Sequence, residues 1–262
     1  MKKLYLDEVN KEIFKSKHKT EVLTEKDISH LPKLVQNYFR YCGYVGKEKI
    51  YNALVEWEDV YLKMSPKKDW MTLKCYQFNS VTEPTRIVYM ASKMFGIFPF
   101  EGRDKYHEGH GNMQIKLLKM YTVADAKGKE MDEAALVTVL AEALFVPGYA
   151  LQSYLTWTAV DDTSVKGTIS YNDTEVSGVF YFNDLGEYIR FETFDRHYSE
   201  NGREYKNVKW TGICGDHKEK NGIKYISSFS GVWNLEDHDF EYFKGNITNI
   251  TYNLRRTIDK LS

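Results

Sequence analysis

A two-residue period dominates this chain and narrows the folds open to it. From Ile50 to Val123, and again from Leu155 to Leu254, β-branched and aromatic residues alternate with polar ones. Val55-Glu56-Trp57, Trp70 to Phe78, Thr85 to Met90 and Asn112 to Val123 read as strands, separated by Ser65-Pro66, Glu83-Pro84 and Glu101-Gly102. In the second stretch the turns fall at Asp184-Leu185-Gly186, Asn201-Gly202 and Asn221-Gly222. Asn-Gly between alternating runs marks a tight hairpin, because both central residues of a type I′ turn need positive φ. Consecutive hairpins make a meander, hence one large antiparallel sheet. No Pro/Gly/Ser linker and no fixed repeat divides the chain, so residues 1–262 are expected to form a single domain.

Two segments break the strand pattern. Leu31, Leu34, Val35, Tyr38, Phe39 and Cys42 recur at helical spacing opposite Lys33, Gln36, Asn37 and Arg40, with Pro32 suited to the first turn and Gly43 to the end. This predicts an amphipathic helix over 32–42. A second helix is expected from Asp132 to Phe145, with Leu136, Val139, Leu140, Ala143 and Leu144 as its buried stripe and Pro147 as its stop. Residues 1–30 are charged, with weak apolar spacing at Leu4, Leu6, Val9 and Ile13. They read as an arm or short helix whose first 22 residues could be deleted at little cost, outside a core of 31–255. The fold class is therefore α+β: a large curved antiparallel sheet, open to closing into a half-barrel, covered by a leading helix and one inserted helix.

Charge and cysteine content remove several functions. With 36 Lys plus Arg against 37 Asp plus Glu, the formal net charge of −1 withdraws the bulk electrostatic case for a nucleic-acid partner. Cys42, Cys75 and Cys214 are odd in number and far apart, as reduced thiols of a cytosolic protein would be. Asp7, Glu8, Lys11 and Glu12 stand where a signal peptide would be apolar. No apolar run is long enough for a membrane span. A cytoplasmic location is expected.

The aromatic content is more informative. Twenty Tyr, 14 Phe and 5 Trp exceed what a sheet with one wet face needs. Val176, Phe180 and Phe182 alternate with Val179 and Tyr181, so bulky groups occupy both faces. Ile223, Tyr225, Phe229 and Trp233 share a face with Ser227 and Gly231, and the small residues leave room above them. Either the two helices fill that room or the curved sheet encloses an apolar cavity, which would need about 300 Å³ or more to serve as a ligand pocket. The candidate ligand-binding residues are Trp57, Trp157, Arg190, Trp210, Tyr225 and Trp233.

Catalytic patterns are weak. In His107-Glu108-Gly109-His110 the histidines are three apart rather than four and glycines disfavour a helix, so they read as turn residues and no metal is expected. Phe229-Ser230-Gly231 lacks the first glycine of a nucleophile elbow, and neither GxGxxG nor a P-loop lysine is present, so no cofactor is expected. Glu142 is an exception: it opposes the dipole of the second helix at its C-terminal end. A cation from the sheet, Arg190 or Arg196, would offset that, and Asp104, Glu142 and Arg196 form a candidate polar cluster.

Leu31-Pro32-x-x-Val35-Gln36-x-Tyr38 with Gly43-Tyr44-Val45-Gly46, Asp104-x-Tyr106-x-x-Gly109-x-Gly111-x-Met113, Leu140-Ala141-Glu142 with Pro147, and Arg196 followed by Trp210-x-Gly212 stand in an order that resembles a large bacterial family catalogued only as a domain of unknown function. Tyr225-Ile226-Ser227 departs from the Ile-Pro that the family tends to carry near that strand. The resemblance implies positions without roles. The element order is similar to the half-barrel of periplasmic lipoprotein carriers, although the missing signal peptide argues against a periplasmic carrier. Three functions follow as expectations. The first is a non-enzymatic binding protein for a lipophilic or aromatic small molecule. The second is a hydrolase working through Asp104, Glu142 and Arg196. The third is a structural interaction module marked by an exposed apolar patch.

Overall fold

The computed structural model describes residues 1–15, 20–94, 97–200 and 204–261. Three helices lead, α1 (Lys2–Lys15), α2 (Glu25–Ile28) and α3 (Lys33–Tyr41), followed by six strands: β1 (Asn52–Leu62), β2 (Met71–Ser80), β3 (Thr85–Met94), β4 (Phe98–His107), β5 (His110–Leu117) and β6 (Tyr121–Ala126). Helix α4 (Lys129–Ala141) and a 3-10 turn at Tyr149–Leu151 precede β7 (Leu155–Ala159), β8 (Ser164–Tyr171), β9 (Thr174–Phe182) and β10 (Tyr188–Thr193). The chain ends with β11 (His197–Tyr198), β12 (Lys206–Asn207), β13 (Trp210–Cys214), β14 (His217–Lys220), β15 (Ile223–Ile226), β16 (Ser228–Asn234) and β17 (Asp239–Tyr252).

Thirteen of these strands form one antiparallel sheet in the order β6-β5-β4-β3-β2-β1-β17-β16-β13-β10-β9-β8-β7. One meander runs outward from β1 to the β6 edge, another returns from the β7 edge, and the two meet where β17 pairs with β1, from Ala53↔Tyr252 to Leu62↔Phe243. Only α4 and its flanking turns connect the two edges. Helix α4 packs on β4 and β5 near one edge and on β8 and β9 near the other. In a flat sheet β5 and β9 would stand nine strand spacings apart, or ~43 Å at ~4.8 Å each. A helix only ~10 Å across touches both because the sheet curls into a half-barrel around it. Bulges in β1 just after Trp57 and in β17 at Tyr242, opposite Gly231/Val232, add bend at the centre.

The rim is tied as well. At the β4–β5 turn Glu108 (φ 53°) and Gly109 (φ 84°) take the left-handed backbone of a two-residue hairpin. The Asn172 amide, in the β8–β9 turn, donates to the Glu108 carbonyl at 2.9 Å. A Cβ on Gly109 would lie 2.5 Å from Asn172, and one on Gly111 would lie 2.2 Å from the Met131 carbonyl at the start of α4. The two glycines of the Asp104–Met113 motif therefore let the hairpin tip meet the opposite edge and the helix. Asn221 (φ 56°) and Gly222 (φ 73°) make the expected tight turn of β14–β15, whereas Asn201-Gly202 lies outside the described residues.

Glu101-Gly102, expected as a break, lies inside β4, and the run from Asn112 to Val123 is divided between β5 and β6; four further expectations need correction. First, α4 spans Lys129–Ala141 rather than 132–145, because Gly128 (φ 112°) starts it early and Glu142 is its C-cap. Second, residues Ala135 to Val146 are nearly all buried, so the helix has no wet face over its C-terminal half: the curled sheet surrounds it. Third, the N-terminal segment is docked. Tyr5, Val9 and Ile13 of α1 bury against Phe78, Ile87 and Tyr89 on the outer face of β2 and β3, which explains the bulky groups on both faces there. Fourth, the run 223–233 is broken at Ser227, and Ile223 and Tyr225 belong to the separate β14–β15 ribbon. On α3, Val35, Tyr38 and Phe39 are fully buried and Leu34 only partly.

Candidate functional site: an aromatic-walled cavity with one polar side

Between α4 and the concave face of the sheet is a cavity of about 270 Å³, close to the ~300 Å³ at which ligand pockets begin. The helices fill most of the interior but not all of it. Trp57, Trp210, Phe229, Trp233 and Phe243 line it with Leu62, Val88 and three methionines, Met90, Met113 and Met131. Gly231, between Phe229 and Trp233, makes room for the Tyr242 ring, whose edge would lie 3.0 Å from a Cβ there.

The polar side is built from β2, β3, β4 and the end of α4. Alternation along β2 puts Gln77 and Asn79 in phase with the buried Leu73 and Cys75, and both amides are 0% exposed. Alternation along β3 turns Arg86, Val88 and Met90 inward while Ile87 and Tyr89 face α1. Glu142 enters from the C-cap of α4. Its Oε1 accepts from Arg86 Nε at 2.7 Å, and its Oε2 accepts from Gln77 Nε2 at 2.7 Å and Asn79 Nδ2 at 2.8 Å. Arg86 Nη1 donates to Asp104 Oδ2 at 2.7 Å. The Trp57 indole donates to Gln77 Oε1 at 3.2 Å, and the Tyr149 hydroxyl donates to the Thr85 carbonyl at 2.6 Å. Burial raises the Glu142 pKa above the ordinary carboxylate value, and Arg86 and Asn79 oppose that rise. Burial pulls the Arg86 guanidinium down, yet Glu142 and Asp104 hold it above its usual value.

The cation that offsets the dipole at Glu142 is therefore Arg86, not Arg190 or Arg196. Its sequence signal was a charged residue in phase with Val88 and Met90. Arg190 is exposed, lies over the Tyr181 ring and pairs with Glu192. Arg196 lines the cavity, stacked 4.6 Å from the Trp210 ring centroid and 5.6 Å from that of Trp233, and donates to Thr138 Oγ1 at 3.2 Å. His197 beside it bonds Glu133 at 2.7 Å.

Of the six aromatic and arginine candidates, Trp57, Trp210 and Trp233 lie on the cavity wall. The other three stand away from it. Trp157 packs on Phe180 and donates to the Ala150 carbonyl, and Tyr225 donates to the Thr248 carbonyl beside a surface groove. Asp104, Glu142 and Arg196 all face the cavity, with Asp104 and Glu142 joined through Arg86 and Arg196 apart from them. Both oxygens of Glu142 accept hydrogen bonds, three in all, an arrangement that fixes the carboxylate in position. His107 and His110 flank the β4–β5 turn and pair with Glu12 and Asp132. Among the described residues no His, Cys, Asp and Glu group is arranged to hold a metal, and no helix is long and apolar enough to cross a membrane. Exposed Ile97, Phe98, Leu118, Met120 and Tyr121 gather where the β3–β4 and β5–β6 turns meet.

Fold and site together define an α+β half-barrel whose inserted helix leaves an aromatic-walled cavity with one polar side. The chain belongs to a family of unknown function (DUF6544), whose model matches residues 21–245. No curated protein matches it. Among solved structures it is similar to a LolA superfamily protein from Nitrosomonas europaea, at 8% identity and a TM-score of 0.45, over 82% of this chain and 92% of that one. It is also similar to a DUF1329 family protein from Desulfovibrio piger, at 9% identity and a TM-score of 0.46, over 88% of this chain and 94% of that one. Likenesses this distant concern the general course of the backbone and bear on neither ligand nor activity.

Proposed function

We propose that this protein is a non-enzymatic binding protein that holds a lipophilic small molecule between the half-barrel and α4. The observation that carries the reading is the cavity itself: three indoles, two phenylalanines and three methionines surround open space of about 270 Å³. That exceeds the ~150 Å³ of an engineered apolar cavity that takes up benzene. Methionine walls adapt to flexible apolar ligands, and indoles supply wide rigid contact. Three hydrogen bonds fix the Glu142 carboxylate in place, which favours a positioning role beside the cavity over acid–base chemistry.

The test combines extraction of the purified protein, native mass spectrometry for a co-purifying lipid, and titration with N-phenyl-1-naphthylamine. Wild-type protein should bind the probe with quenching of the cavity tryptophans. Ala134→Trp, on the α4 wall of the cavity, fills the space without removing any hydrogen bond and should abolish probe binding while the far-UV circular dichroism stays unchanged. Absence of both lipid and probe binding, or equal binding by Ala134→Trp, would refute the reading.

A further inference from the structure

Resting on that reading, we infer that the ligand is an anionic amphiphile of medium length, its acidic head held by Arg196 and its apolar body by the tryptophan and methionine walls. Three side chains on the cavity wall can carry positive charge, and two are committed. Arg86 is shared between Glu142 and Asp104, at 2.7 Å from each. His197 is bonded to Glu133 at 2.7 Å.

Arg196 is different. Its guanidinium lies over two indoles, and among the described residues it has one hydrogen bond, to the Thr138 hydroxyl, and no carboxylate pairs with it. Stacking uses the face of a guanidinium and leaves the in-plane N–H groups of its edge pointing outward. That edge matches a planar carboxylate in paired hydrogen bonds, the strongest kind of polar contact an arginine makes. The apolar side of the wall disfavours a ligand that is polar throughout: Leu62, Val88, Met90, Met113 and Phe243 offer it no hydrogen bond. A head group at Arg196 with a body on those residues satisfies both parts of the cavity. The Arg196 end disfavours a cationic head group, which would bring a second positive charge against the guanidinium, and Asp104 and Glu142 are already paired with Arg86.

The experiment measures displacement of N-phenyl-1-naphthylamine from the full-length protein by decanoate, decanol and decyltrimethylammonium at pH 8. Decanoate should bind about 10-fold or more tightly than decanol, as a charge-assisted hydrogen bond implies, and the cation more weakly than either. Arg196→Gln should bring decanoate down to the decanol level and leave decanol within about 2-fold of wild type. Arg196→Lys should retain part of the preference for the acid. Arg190→Gln, on the exposed outer face, should change nothing. Equal affinities for decanoate and decanol in wild type, or an equal fall for both in Arg196→Gln, would overturn the head-group assignment while the binding reading stands. If none of the three displaces a bound probe, the assignment falls, and if neither the probe binds nor a lipid co-purifies, both readings fall.

Discussion

Glu142 and Arg86 provide the sharpest test of how the cavity's polar side is held. Replacing Glu142 by leucine leaves Arg86 buried with only the half-buried Asp104 for a partner, and takes the acceptor from two amides that are themselves 0% exposed. Breaking a buried pair from one side costs about 3–5 kcal/mol, because the remaining charge is left uncompensated. The two stranded amides push the figure to the upper end of that range, although Gln77 and Asn79 still bond each other at 2.8 Å. Against a typical total of ~5–15 kcal/mol the loss is large. Arg86→Met alone should cost a similar amount, since Glu142 is only 4% exposed and would lose its cation. The double variant Glu142→Leu/Arg86→Met should be ~2–3 kcal/mol more stable than the sum of the two losses implies, because neither charge is then left uncompensated, whereas the acceptor lost to Gln77 and Asn79 is not restored. Asp104 keeps 29% of its side chain exposed and can stay hydrated there. Urea denaturation followed by tryptophan fluorescence measures all three, with unchanged m-values confirming that the same unfolding is observed. A single-variant loss below ~1 kcal/mol, or strictly additive losses, would show that the pair does not hold this side of the site.

Further outcomes are expected. Tyr5→Ala should destabilise by about 3–5 kcal/mol, as should Phe39→Ala, since both rings are 0% exposed in clusters that cannot collapse easily; chemical denaturation reads both, and a mild Tyr5→Ala effect would mean that α1 is only loosely docked. Gly111→Ala should cost about 1–3 kcal/mol, because the added methyl would meet the Met131 backbone at 2.2 Å and the helix would have to shift; a thermal midpoint equal to wild type would refute the close approach. His217 is buried between the Tyr38 and Tyr41 rings near Glu187 and Lys224, and burial lowers its pKa below 6.5. The unfolded chain thus binds a proton that the folded chain resists, so stability should fall as pH drops through 6.5 toward the lowered folded value. His217→Phe should flatten that slope in thermal melts between pH 7.5 and 5.5, and an identical slope in the variant would refute the assignment.

What the sequence determined by itself is the set of local elements, because each has a period or a turn chemistry that neighbouring residues decide. Alternation marked the strands, the stripe of Val35, Tyr38 and Phe39 marked α3, and Asn221-Gly222 marked a turn that its backbone geometry demands. The curved antiparallel sheet with a leading and an inserted helix was legible to that extent. Part of the cavity was legible too: Trp57, Trp210 and Trp233 stood out as large rings in strands, and Glu142 as a carboxylate at the wrong end of a helix. What only the tertiary structure decided depends on residues distant in the chain. Arg86 is the partner of Glu142 because curling brings β3 beneath the end of α4, and Arg190 is not, because its strand position points outward. Trp157 and Tyr225 look no different in sequence from Trp57, yet one packs on Phe180 and the other sits on a separate ribbon. The docking of α1 was hidden for the same reason: Tyr5, Val9 and Ile13 form a stripe too thin to identify alone, and its counterpart, Phe78, Ile87 and Tyr89, exists only once β2 and β3 pair. Local pattern specifies which face of an element is apolar, while the sheet's curvature specifies what that face meets.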